Sequence, residues 1–250
     1  EPLGLMMTIL APDGTTENEI DDVMKQVSQE AAKLNVEIIG GHTEITEAVN
    51  RMVISATAIG KQLKSKVIKS SGAKIGDKII MTKTAGLEGT GIIAYDLEDK
   101  LSSTFSREII EKAKKMIDKL SVVKEGVIGG KVGVSSMHDV TEGGVLGAVW
   151  EICRAGKVGC NIYKESIAIA DETHEICKFL GIDPLKLISS GTMLITINPE
   201  KEEELTNELI KNEIETSVIG EITEKGIFLI EDHNKKEIKP PESDELYKVI

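Results

Sequence analysis

Four short segments combine glycine with hydroxyl, carboxylate or imidazole groups. They are Gly40-Gly41-His42-Thr43-Glu44, Thr84-Ala85-Gly86-Leu87-Glu88-Gly89-Thr90, Asp139-Val140-Thr141-Glu142-Gly143-Gly144 and Ser189-Ser190-Gly191-Thr192. Glycine lets a backbone approach a ligand closely, hydroxyls donate to phosphate oxygens, and carboxylates or imidazole can hold a divalent metal. After Gly144 the apolar residues Val145, Leu146, Val149, Ile152 and Cys153 fall at helical spacing, so the glycine pair opens a helix. A helix start gathers free amides at the positive end of a dipole and favours an anion. Asp and Thr also cap ordinary helices, so one such segment is a weak signal. Four of them in one acidic chain point to a nucleotide or a phosphorylated substrate.

The remaining composition narrows the field. Lys plus Arg is 30 against 42 Asp plus Glu, a net charge of −12. Such a surface repels nucleic acid and anionic lipid, so a bound phosphate belongs to a small molecule held locally or through a metal ion. There is no G-x-x-x-x-G-K-[ST], no G-x-G-x-x-G opening a helix after a strand, and no G-x-S-x-G elbow. Cys153, Cys160 and Cys177 lack C-x-x-C spacing and read as reduced, buried thiols of a cytoplasmic protein. No apolar run reaches the roughly 18 residues of a membrane span. His42 is equally a metal ligand, a general base or a hydrogen-bonding structural residue, and His138 carries the same ambiguity. His174 and His233 suggest no function.

The elements that must position these groups follow from periodicity. Leu5 to Leu10 reads as a strand, and a Thr16/Glu19 capping box opens a helix continued by Ile20, Val23, Met24, Val27, Ala31 and Leu34. "VEIIGGHTEIT" reads as a buried strand stopped by Gly40-Gly41, and "RMVISATAIG" as another. This unit is too small to cover both faces of its own sheet and calls for missing upstream sequence or a partner chain. Residues 61–76 form the crossover to a second domain, giving domains 1–61 and 62–250. The second holds strand "KIIMT", helices over about 106–120, from Gly144, 171–180 and 201–212, strand "TMLITI", and short strands near 216–219 and 227–230. The fold class is mixed α/β (α+β) in two domains. The opening "EPLGLMMTILAP" suggests a first domain that begins upstream.

In their order, "EPLGLMMTILAPDG", "IIGGHTEIT", "ISATAIGK", "KIGDKIIMTKTAGLEGTGIIA", "MHDVTEGGVLGAVWEI" and "LISSGTMLITINPE" resemble the aminoimidazole ribonucleotide synthetase (PurM-like) superfamily, nearest its hydrogenase expression/formation branch. The resemblance implies two α/β domains, a homodimer paired through the N-terminal sheets, and ATP with magnesium (Mg2+) used to phosphorylate an amide-type oxygen for dehydration. It implies that Gly40, Gly41, His42, Thr43 and Glu44 lie near nucleotide and metal. It likewise assigns Asp139, Thr141, Gly143 and Gly144 to a phosphate-contacting turn, with His42 and Asp139 as catalytic and metal-ligating residues. A maturation partner protein is a further implication. Family members hold metal partly through acidic residues upstream of residue 1, and His42 occupies a position that is often Asp. A selenophosphate synthetase-like or purine-type synthetase, and a non-catalytic nucleotide-binding scaffold, are the alternatives.

Overall fold

Thr16 caps the first helix as its sequence requires: its side chain accepts the Glu19 N–H while the Glu19 carboxylate accepts the Thr16 N–H. The computed structural model describes residues 1–250 and divides into two units, Glu1–Val67 and Ile68–Ile250.

The first unit is a three-stranded sheet and one helix: β1 Pro2–Ala11, α1 Glu17–Lys33, β2 Glu37–Ile45 and β3 Val53–Gly60, in strand order β2-β1-β3. Met7, Ile9 and Ala11 alternate along β1 and are buried on its α1 side, where Ala31 is also buried. One helix cannot cover more than this. Leu3, Met6, Ile39, Ile45, Val53, Ile54 and Ile59 stay exposed, a concentration of apolar surface unusual for an unpartnered domain.

The sequence predicts that Gly40-Gly41 stops a buried strand. Instead, β2 runs through both glycines to Ile45 and is exposed along nearly its whole length. Between Leu5 and Met6 its register against β1 shifts, leaving Ile39 as the extra residue of a bulge. Gly41, at φ 152°, then passes so close to β1 that a Cβ would stand 1.8 Å from the Met7 carbonyl oxygen. The glycine permits close pairing and does not end the strand.

The second unit has a seven-stranded mixed sheet, ordered β10-β9-β6-β8-β4-β7-β5. Its strands are β4 Lys78–Thr82, β5 Ser136–Asp139, β6 Gly159–Tyr163, β7 Met193–Ile197, β8 Thr216–Thr223, β9 Ile227–Glu231 and β10 Asn234–Glu237. Its helices are α2 Leu87–Asp96, α3 Glu98–Ser102, α4 Arg107–Lys114, α5 Val123–Val132, α6 Gly144–Gly156, α7 Asp171–Leu180 and α8 Glu202–Lys211. Alternation along β4 sends Ile79 and Met81 into a core with Val145, Val149 and Ile152 of α6, and Ile80 into another with Ile128 of α5 and Leu205 and Leu209 of α8. Each such fully buried aliphatic side chain contributes about 1.5–3 kcal/mol. A third cluster joins α2, α4 and α7 through Ile93, Ile110 and Ile176. Trp150, on α6, packs against the first core with the Arg154 guanidinium 5.5 Å from its ring centre.

The predicted helix over 106–120 is shorter, because the chain tightens into a 3-10 turn at Lys115–Lys119. The glycine-spaced segment after Thr84 contains α2, which weak intrinsic propensity conceals. It forms because Gly89 and Gly91 let the helix press on Leu187 and Ile117, where a Cβ would come within 2.4 and 2.7 Å. All three cysteines are free and buried, as their surroundings in the sequence suggest, and burial pushes the Cys177 thiol up to about 12.

Candidate functional site

Antiparallel pairing of β4 with β7 and of β7 with β5 sets the exits of β4 and β5 beside the entry of β7. Three of the four glycine segments therefore meet at one end of this sheet. The exits of strands in open α/β sheets are where ligands usually bind.

Much of the hydrogen-bonding capacity there is used internally. Ser189 Oγ accepts the Leu87 N–H at 3.1 Å, the Ile188 carbonyl accepts the Gly89 N–H at 2.9 Å, and Thr192 Oγ1 donates to the Thr84 carbonyl at 2.7 Å. Glu88 Oε2 accepts the Ser190 N–H at 3.3 Å. The segments Thr84–Thr90 and Ser189–Thr192 are thus stitched to each other, and their glycines and hydroxyls serve that junction before any ligand.

The Asp139–Gly144 turn is divided. Asp139, at the exit of β5, keeps its side chain 58% exposed. Thr141 and Glu142 are exposed as well, with Glu142 Oε1 accepting from Tyr247 Oη at 2.9 Å. Gly143, however, donates its N–H to Asp244 Oδ2 at 2.7 Å, so an anion already sits at the start of α6 and it is a carboxylate of this chain. Asp244 is buried, and its other oxygen accepts the N–H groups of Ile188 and Leu246. Gly144 is needed for packing: a Cβ there would stand 2.7 Å from the carbonyl oxygens of both Leu185 and Leu187. Its role is a close crossing of two backbones, where the sequence suggests room for a ligand phosphate.

His138 lies between two carboxylates, with Nε2 2.8 Å from Glu151 Oε2 on α6 and Nδ1 3.5 Å from Asp139 Oδ1. The Asp139 contact and then Glu151 raise the imidazole above its ordinary value against the opposing effect of burial, while His138 lowers the Asp139 carboxyl. A raised His stabilises fully below its unfolded pKa, about 6.5, and loses that contribution as pH rises through the higher folded value. A lowered Asp contributes above its model value of 3.8 and loses it as pH falls through the lower folded value. The difference in melting temperature between the parent and His138→Gln is therefore expected to be largest between about pH 4.5 and 6 and to shrink on the alkaline side. A difference that grows above pH 8 would contradict this pairing.

In the first unit, β2 separates residues that the sequence groups together. His42 pairs with Thr8 and Glu44 with Leu10, on one face with Gly40 and with Ser55 and Thr57 of β3. Gly41 and Thr43 belong to the α1 face. His42 Nε2 is 3.3 Å from Glu44 Oε2, and both side chains are exposed.

No group of three or more His, Cys, Asp or Glu side chains is placed to hold a metal ion. Magnesium prefers oxygen ligands and is commonly held by one or two carboxylates with substrate phosphates and water, a requirement Asp139 meets and Glu44 meets better than the His42 imidazole. Asp244 and Glu151 escape sequence reasoning. The first lies 101 residues from the amide it accepts; the second has only its helical position after Gly144 to mark it.

Comparison with known proteins gives a consistent result. The family model "AIR synthase related protein, N-terminal domain" matches residues 1–62, and "AIR synthase related protein, C-terminal domain" matches residues 74–232. A putative hydrogenase expression/formation protein of Methanocaldococcus jannaschii is 26% identical over 237 residues, 92% of this chain and 67% of that protein. Carbamoyl dehydratase HypE of Bradyrhizobium diazoefficiens is 24% identical over 202 residues, 80% of this chain and 56% of that protein. The chain thus spans between about half and two thirds of these relatives. Among solved structures, E. coli HypE matches with a TM-score of 0.85 at 20% identity, covering 98% of this chain and 75% of that one. A HypE in complex with ATP matches at 0.79, also at 20% identity and with the same coverage. These two likenesses establish the fold.

Proposed function

Because this chain belongs to the AIR synthase related protein family, we propose that it is an ATP-dependent, hydrogenase-maturation type protein that activates an amide-type oxygen by phosphorylation for dehydration. The observation that carries the reading is Asp139, an exposed carboxylate at the exit of a strand in the domain matched by the family's C-terminal model. Relatives named as hydrogenase expression/formation protein and carbamoyl dehydratase support the same chemistry. Chemistry of this kind consists mainly of positioning and of neutralising charge on a transferring phosphoryl group. ATP bound with magnesium would supply that group. In the second unit Asp139 would hold the metal and Thr141 would donate to a phosphate oxygen; the first unit, taken by itself, offers His42 and Glu44 on one face of β2 as its own nucleotide-contacting groups.

Residues 1–61 are assigned to dimerisation and nucleotide binding, and 62–250 to the second domain. The homodimer reading is supported by the exposed apolar residues of the three-stranded sheet. A maturation partner is supported by the similar fold of HypE in a solved HypE–HypF complex. No helix is long and apolar enough to cross a membrane, and three free, buried cysteines fit a reducing, cytoplasmic setting.

Calorimetric titration with ATP and magnesium tests the reading. The parent chain is expected to bind, and Asp139→Asn to bind about tenfold to a hundredfold more weakly with folding nearly intact, the size of one charge-assisted contact. Equal affinity in the two proteins would overturn the role of Asp139.

A further inference from the structure

Lys83, at the exit of β4, has a left-handed backbone with φ 53°, a conformation that costs a non-glycine residue energy unless its surroundings enforce it. Its ammonium donates to the carbonyls of Lys119 at 3.0 Å, Ser121 at 2.8 Å and Gly191 at 2.8 Å. Glu125 Oε1, from α5, stands 2.8 Å from the same nitrogen. Three carbonyls already accept from the ammonium, and the Glu125 oxygen faces the charge at ion-pair distance but outside hydrogen-bond geometry. The Glu125 side chain is 2% exposed. A carboxylate so buried is stable only with a fixed counter-charge.

Three carbonyl oxygens and one carboxylate form the donor set that hard cations attract. Here the cation is tethered to β4. The carbonyls and carboxylate belong to the link from the 3-10 turn at Lys115–Lys119 into α5 and to the Ser189–Thr192 turn. Gly191, one of the three, sits between residues whose hydroxyl and amide groups contact Thr84 and Glu88.

We propose that Lys83 is a positioning residue, an internal cation whose charge clamps the Ser189–Thr192 turn and the 119–125 link onto the exit of β4 and thereby fixes Thr84, Glu88 and Ser190 at the strand ends. Its consequence for ligand binding rests on the magnesium-ATP reading above, whereas the clamp itself rests on the distances.

The decisive variant is Lys83→Ala, which leaves the four oxygens around an opened space. Its melting temperature is expected to fall by about 10 °C, the scale of a broken buried ion pair in a domain of this size. Its affinity for magnesium-ATP is expected to fall about tenfold to a hundredfold through misplacement of the turn. Methylammonium or potassium chloride should restore part of both losses by refilling the space, choline chloride at the same ionic strength should not, and the parent should respond alike to all three salts. Identical responses of Lys83→Ala to the three salts, or parental melting temperature and affinity without them, would overturn the proposal. If Lys83→Ala does not fold, Glu125→Gln preserves the shape and removes the counter-charge. A lower melting temperature with weakened magnesium-ATP binding is then expected, and parental values for both would overturn the clamp. A parent chain that fails to bind magnesium-ATP would sink the functional reading alone, because selective rescue of the melting temperature still decides whether the clamp exists.

Discussion

Gly144→Val is expected to unfold the second unit or to lower its stability by more than about 4 kcal/mol. Gly144 has φ 61°, a region a β-branched residue scarcely enters, and that alone costs about 1–3 kcal/mol. The new Cβ would also stand 2.7 Å from two backbone carbonyl oxygens and 2.9 Å from the Leu187 nitrogen. Backbone cannot swing aside as a flexible side chain would, so the segment carrying Leu185 and Leu187 must move away from α6. Urea denaturation followed by circular dichroism would measure the loss. Gly130→Ala, in α5 where a Cβ meets nothing within 4 Å, is the control and should be neutral or slightly stabilising. A Gly144→Val chain with parental stability would show that the crossing of α6 over residues 185–187 is loose.

The second large effect is expected from Asp244→Ala. One carboxylate accepts three backbone N–H groups, those of Gly143, Ile188 and Leu246, and its removal leaves one buried and two partly buried donors without partners. Each such orphan costs about 1–3 kcal/mol, so a loss of about 3–5 kcal/mol is expected in chemical denaturation. Asp244→Asn keeps an acceptor oxygen and should lose clearly less. A loss below about 0.5 kcal/mol for Asp244→Ala would mean that water satisfies these amides equally well.

These two sites mark where the sequence was legible and where it was not. The capping box at Thr16 and Glu19 depends on neighbours three residues apart, so it could be read directly and forms as read. The apolar spacing after Gly144 likewise placed α6 and its buried face. The purpose of the glycines was less accessible. Gly41, Gly89 and Gly144 each allow one backbone or side chain to press on another from a distant part of the chain, and a glycine that admits a neighbour looks the same in sequence as one that admits a ligand. The same holds for Ser189 and Thr192, whose partners lie near Thr84 and Leu87, about a hundred residues away. Asp139 differs because its side chain remains exposed, and there the ligand-binding expectation keeps its physical basis.

The placement of Trp150 on α6 has an optical consequence. Tyr95, Phe105, Trp150, Tyr163, Phe179, Phe228 and Tyr247 are all the aromatic residues of the chain, and every one lies within Ile68–Ile250. Intrinsic fluorescence and near-ultraviolet dichroism thus see only the second unit, and the three-stranded unit is spectrally silent in both. Far-ultraviolet dichroism, which reads backbone, registers both. Melting the protein with the two signals recorded together would resolve whether the units come apart at one temperature or two, with no label added to either.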